Sequence, residues 1–200
     1  EGDFTDTLPR FAVSYDVNNN WNLYANYAKG RRSPVVDASA AGTTITKAEI
    51  VDSYDLGVKY QSANFIFSGA IFTYEYSDYQ QSYTDQETLQ SITVTVGDST
   101  MSGIEGMATY NYSDTLTFTA SLGFLDAEFA DNTSDGSPFQ YGGNKFRLAP
   151  EVSGAININK VVHFDNWTMD VNWLTSFQSE VFFESSNYPG MSQDTYSLTD

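Results

Sequence analysis

"PRFAVSYDVNNNWNLYANYAKGRRSP" spans Pro9 to Pro34, and its odd/even rhythm decides the fold class. From Pro9 to Tyr15 the odd positions are Pro9, Phe11, Val13 and Tyr15, and the even ones are Arg10, Ala12 and Ser14. After Asn18 to Asn20 the odd positions are again the greasier ones, Trp21, Leu23, Ala25 and Tyr27, against Asn22, Tyr24 and Asn26. A period of two places alternate side chains on opposite faces of an extended chain, so each half reads as a strand with one apolar and one polar face. The asparagines between them read as a hairpin turn, since asparagine tolerates positive φ.

The rhythm recurs along the chain. Tyr54, Leu56, Val58 and Tyr60 alternate with Asp55, Gly57 and Lys59. Leu116, Phe118, Ala120, Leu122 and Phe124 alternate with Thr115, Thr117, Thr119, Ser121 and Gly123. Val152 to Asn159 and Trp167 to Trp173 repeat the pattern, and Phe65 to Tyr79 and Met101 to Tyr112 are less regular strands. The chain is all-β, with about nine strands and no amphipathic helix.

Connections alternate in length. Short ones (18–20, 61–64, 113–114, 165–166) alternate with long ones (30–49, 80–91, 130–146, 178–194). In an antiparallel meander every second connection lies at the same end of the sheet, so tight turns gather at one rim and long loops at the other. The polar face is Thr, Ser, Asn and Gly more than Lys and Glu. Aromatic residues stand near the turns: Tyr15, Trp21, Tyr60, Tyr110, Tyr112 and Trp167. Strands of roughly ten residues, apolar outward and polar inward, with aromatic girdles and loops of unequal length, are the signature of outer-membrane barrels. The expected fold is therefore an antiparallel transmembrane β-barrel meander. Its apolar face would meet outer-membrane lipid and its polar face would line a lumen. A small porin-like or adhesin barrel, and a secreted glycan-binding β-sandwich, are the alternatives.

Composition narrows the function. Of 200 residues, 26 are acidic and 9 basic, for a net charge of −17, which excludes nucleic acid as a partner because phosphate binding needs a Lys/Arg footprint. There is no cysteine, hence no disulfide and no thiolate metal site. No run approaches the roughly 18 apolar residues of a membrane helix. The one histidine, His163, stands beside Asp165 at a tight turn and leaves a hydrolytic triad without a placed base. Glu75, Glu105 and Asp170 read as polar lining of the lumen, not as an acid/base pair. The acidic stretch "FLDAEFADNTSDG" lacks EF-hand spacing and reads as a solvated outer loop. Neither enzyme activity, nor a metal, nor a cofactor is expected.

Several segments resemble the C-terminal barrel of TonB-dependent outer-membrane receptors: "NLYANYAKGRRSP", "VDSYDLGVKY", "GAIFTYEYSDYQQ", "MSGIEGMATYNYSDTLTFTASLGFLDAEF" and "LAPEVSGAINI", in the order that family has them. Asp55 stands where the family usually has Glu. The resemblance implies a barrel of about 22 strands with an N-terminal plug, so residues 1–200 are expected to be part of one barrel domain, with the plug and the terminal strands absent. It further implies an energy-coupled importer of a scarce small-molecule ligand (a siderophore, vitamin or oligosaccharide) in the Gram-negative outer membrane, worked by a periplasmic energy-coupling protein through the plug. Candidate ligand-binding residues lie on the long loops and adjoining strand ends. Arg31, Arg32 and Arg147 could meet an anionic ligand, and Tyr76, Tyr79, Tyr83, Phe139, Tyr141 and Tyr188 could stack on a planar one.

Overall fold

A computed structural model describes residues 6–39, 42–84, 91–133 and 141–200. Its main sheet has nine strands: β1 (Arg10–Asp16), β2 (Trp21–Arg32), β5 (Glu49–Gln61), β6 (Phe65–Thr84), β7 (Ser91–Ser113), β8 (Leu116–Thr133), β9 (Val152–His163), β10 (Thr168–Gln178) and β13 (Tyr196–Thr199). Two small hairpins sit within long connections, β3 (Val36–Ser39) with β4 (Gly42–Ile45), and β11 (Val181–Phe182) with β12 (Ser192–Gln193). Every main-sheet strand pairs antiparallel with the next in the chain order just given. The meander and its two unequal rims are thus as the alternation requires. Among the described residues no helix is long and apolar enough to cross a membrane, which says nothing of a β-barrel.

The register keeps the two faces apart. Ala25, Leu56, Ile71, Ile104, Phe124 and Val152 form one apolar row across six strands. One residue away, Tyr24, Gly57, Ala70, Glu105, Gly123 and Ser153 form a row of small and polar side chains. The apolar row is left open: Leu56, Ile71, Ile104 and Phe124 are each about half exposed. On the polar face amides and hydroxyls bond to one another across strands. Asn22 Nδ2 donates to Asp16 at 2.6 Å, Asn157 Nδ2 to Asn172 at 2.6 Å, Asn159 Nδ2 to Asp170 at 2.6 Å, and Thr117 to Asn111 at 2.9 Å. Such pairs satisfy polar groups that would otherwise compete with the ladder. Gly57 serves close approach: the Tyr24 ring lies where its Cβ would be, so the ring covers the neighbouring strand. Near the tight turns Trp21 and Tyr60 are in contact at 4.6 Å, Tyr60 and Phe65 at 5.9 Å, and Phe65 and Tyr110 at 6.5 Å, forming the expected aromatic belt.

Three expectations change. The Asn18–Asn20 turn does not use positive φ. The Asn18 carboxamide oxygen instead accepts from the backbone N–H of Asn20 at 2.8 Å and of Trp21 at 3.1 Å, an Asx turn, and Asn20 Nδ2 donates to the Gln61 carbonyl at 2.6 Å. Glu75 pairs in register with Asp52 and Thr100, in the rows that continue the apolar face beyond Tyr54, so it does not face the polar side. Finally, the connection expected at 80–91 is strand at both its ends, because β6 runs to Thr84 and β7 starts at Ser91. Alternation is lost in β6 beyond Tyr79, where Gln80, Gln81 and Ser82 follow one another, while β7 keeps it with Ile92, Val94 and Val96 against Thr93 and Thr95. Register shifts on either side of Tyr79 mark the change, with Asp78 at φ 54 and Gly97 at φ 131, a value that side chains rarely adopt.

Candidate functional site

The long-loop end carries a core of its own. Val94, Val96, Ala127, Phe129 and Phe146 are buried together, and Tyr79, Ile92, Met101, Leu125, Tyr141 and Ala149 pack around them. Phe129 is the hub, with its ring 4.7 Å from Phe146, 5.5 Å from Tyr141 and 5.7 Å from Tyr79. Tyr76 joins through Tyr79 at 5.4 Å and Phe146 at 6.4 Å. Such ring pairs add to the burial of area. Burial and the nearby Glu49 push the Tyr79 phenol above its ordinary value.

Phe146 reaches this core because its segment acts as an extra strand beside upper β8. Its N–H donates to the Ala127 carbonyl at 2.9 Å, the Phe129 N–H donates to the Asn144 carbonyl at 3.0 Å, and Glu128 and Lys145 form an antiparallel bridge. Lys145 Nζ lies 2.9 Å from Asp126, 3.1 Å from Glu151 and 3.7 Å from Glu128. Its bond to Asp126, reinforced by Glu151, raises the ammonium well above the ordinary lysine range against the opposing effect of burial.

Two successive glutamines tie other loops to the tall β6–β7 hairpin. Gln80, which is buried, donates from Nε2 to the carbonyls of Ser33 at 3.0 Å and Lys47 at 2.7 Å, and its N–H donates to Glu49 at 2.6 Å. Lys47 Nζ donates to Asp78 at 2.9 Å, which raises its pKa. Gln81 Nε2 donates to the buried Ser185 hydroxyl at 2.7 Å, in the β10–β13 connection.

The nine residues singled out from sequence divide by their surroundings. Arg31 is ion-paired with Asp6 at 2.6 Å. Arg32 donates to the Gln80 carbonyl at 3.1 Å and lies 3.9 Å from Glu49. Tyr76, Tyr79 and Tyr141 are engaged in the aromatic cluster. Tyr83 lies in β6 opposite Ile92, and Phe139 falls outside the described residues. Arg147 is exposed, with no ion pair among the described residues, and Tyr188 is 66% exposed. The structure therefore gathers most of the set at one rim without converging them on a single cavity. Gln80, Gln81, Ser185 and Asn187, which organise the rim, carry no sequence signal beyond their amide and hydroxyl chemistry. His163 is exposed, with Nδ1 3.3 Å from the Thr168 hydroxyl at the opposite rim. Among the described residues no cluster of three or more His, Cys, Asp or Glu could hold a metal ion.

The family model for the TonB dependent receptor-like β-barrel matches residues 1–200. The chain belongs to the TonB-dependent receptor family. Members of this family are transport receptors of the Gram-negative outer membrane. The Pesticin receptor of Yersinia pestis is 19% identical over 196 residues, covering 96% of this chain and 28% of the relative. The ferric yersiniabactin uptake receptor from Yersinia pestis has the same fold, with a TM-score of 0.81 at 19% identity, covering 96% of this chain and 28% of that one. The ferric preacinetobactin receptor from Acinetobacter baumannii gives a TM-score of 0.73 at 16% identity, again over 96% and 28%. This TonB-dependent receptor barrel sequence thus spans little more than a quarter of the relatives it matches. The small-barrel and sandwich alternatives find no support in these likenesses.

Proposed function

We propose that the chain is a contiguous part of one barrel domain in an energy-coupled outer-membrane receptor that imports a ferric siderophore or a similar scarce iron complex. The observation that carries the reading is the pairing of an open apolar face with a polar opposite face, capped at one end only by an aromatic, loop-built core. The apolar rows meet lipid, the polar rows line the lumen, and the loop end faces outside. Support for the ligand class comes from the family and from neighbours whose names specify ferric siderophores. Within the rim, Arg147 and Tyr188 have exposed side chains suited to an anionic, partly aromatic ligand. Arg31, Arg32, Tyr76, Tyr79 and Tyr141 act in part through the scaffold they build, and Tyr83 and Phe139 complete the proposed set. A plug domain elsewhere in the receptor engages the periplasmic energy-coupling protein.

The test is uptake of radioactive iron by cells whose receptor is the full-length protein, supplied with a panel of ferric siderophores, with and without the energy-coupling protein. Uptake of at least one complex, abolished without coupling and weakened about tenfold by Arg147→Gln with Tyr188→Ala, the scale of a charged hydrogen bond, is expected. Uptake of no iron complex, or uptake indifferent to coupling, refutes the reading.

A further inference from the structure

Two outer connections far apart in sequence meet at a joint built around one carboxamide, beside a backbone bond from the Leu148 N–H to the Phe182 carbonyl at 2.8 Å. Asn187, in the β10–β13 connection, accepts at Oδ1 from the Lys145 N–H at 2.6 Å and donates from Nδ2 to the Lys145 carbonyl at 2.9 Å. A primary amide has one acceptor and two donors in a plane, so here it reproduces what a neighbouring β-strand residue would offer. Lys145 is thereby held on both edges, since its other side bridges to Glu128 of β8. Asn187 is also set in the left-handed region at φ 49, where Asn is among the few side chains tolerated, and its own N–H donates to the Glu184 carbonyl at 3.1 Å. Ser185, only 3% exposed, adds two ties: its carbonyl accepts from Asn144 Nδ2 at 2.9 Å and its hydroxyl from Gln81 at 2.7 Å.

We infer that residues 141–151 of the β8–β9 connection and the β10–β13 connection form one mechanical body, clasped at Asn187, so that displacement of either carries the other. An internal contrast sharpens this. The β2–β5 connection is fastened to β6 through Gln80, with no hydrogen bond or ion pair to the clasp among the described residues, and pairing in register puts Gln80 and Gln81 on opposite faces of the strand. The β2–β5 connection is a separate body, free to move when the clasped pair does not. A ligand that touches only one of the two clasped connections therefore reorganises both.

Hydrogen exchange on the full-length receptor tests the clasp through two substitutions that treat the backbone differently. Asn187→Gly removes the carboxamide and keeps the left-handed conformation at no steric cost, whereas Asn187→Ala loses both. Expected is a joint rise of roughly tenfold in exchange at 144–146 and 181–193 in both variants, the loss of one or two net hydrogen bonds, with 43–47 unchanged. Gln81→Ala, which frees the body from β6 without opening the clasp, should raise exchange of the two segments in parallel. Wild-type exchange in Asn187→Gly would show that Asn187 serves only its own backbone and would overturn the inference. A rise confined to Lys145, or one shared equally by 43–47, would overturn it as well.

Discussion

The strand segments near the tight turns and the tall β6–β7 end obey opposite rules for apolar residues within the same sheet. Near the turns and at mid-strand, Leu23, Leu56, Ile71, Ile104 and Trp173 stand open on one face, each from 44% to 55% exposed. At the tall end, Val96, Ala127 and Phe129 are buried at 0–3% exposure. A strand in lipid can leave its apolar side chains facing the solvent, because that solvent is itself apolar. A strand in water must cover them. The switch falls near the register shifts at Tyr79, where the bulged Val96 turns into the core. On the proposed membrane placement, the open face meets lipid, whereas Ala127 and Phe129, on the face that continues the lumen row, are covered by the β8–β9 connection.

The comparison breaks most sharply at Phe129. Truncation to Ala should cost about 3–5 kcal/mol locally, since a filled aromatic site becomes a cavity. Exchange protection should fall at 92–96 and 141–147 while the lower strands stay protected. Collapse of the whole sheet would mean that the two regions are one cooperative unit.

The next largest effect lies at mid-strand. Ala120 falls on the apolar face of β8, opposite Ala108 and Ile156, while Thr119 on the other face reaches Thr109 at 3.3 Å. Ala120→Arg should cost roughly 2–4 kcal/mol in refolding of the full-length receptor into bilayers, and Thr119→Arg little. Equal costs would remove the lipid/lumen distinction on which the comparison stands.

The smallest effect is at Lys145. Its ion pairs are partly exposed, so Lys145→Gln should cost about 1 kcal/mol or less, read as a slight rise in tryptic nicking at Arg147. The sign of its pH dependence follows from the raised ammonium pKa: the stabilisation is complete below the ordinary lysine value of 10.5 and is lost only as pH rises through the higher folded value. Nicking of the wild type, corrected for protease activity, should therefore stay flat as pH approaches 10.5. An increase well below that value would show that the carboxylates do not hold the charge.

Much of the fold was legible because strand chemistry is local. The alternation around Leu116–Phe124, the Asn-rich turn and the unequal connections determined an all-β meander, its two faces and its two rims, since side-chain direction along a strand depends only on position parity. The quoted segments from "NLYANYAKGRRSP" to "LAPEVSGAINI" also pointed to the family that the whole chain matches. Tertiary structure decided the rest. Only folding shows that Phe129 and Phe146 share a core, that Arg31 and Arg32 are occupied by Asp6, Glu49 and the Gln80 carbonyl, and that Asn187 reaches Lys145. Those partners are set by register and by how loops close over a sheet edge. In β6 beyond Tyr79, the successive Gln80, Gln81 and Ser82 erase the period that would announce a strand, although β7 keeps it at Ile92, Val94 and Val96. Periodicity records which solvent a strand face meets, whereas a loop contact depends on distances that no local pattern encodes.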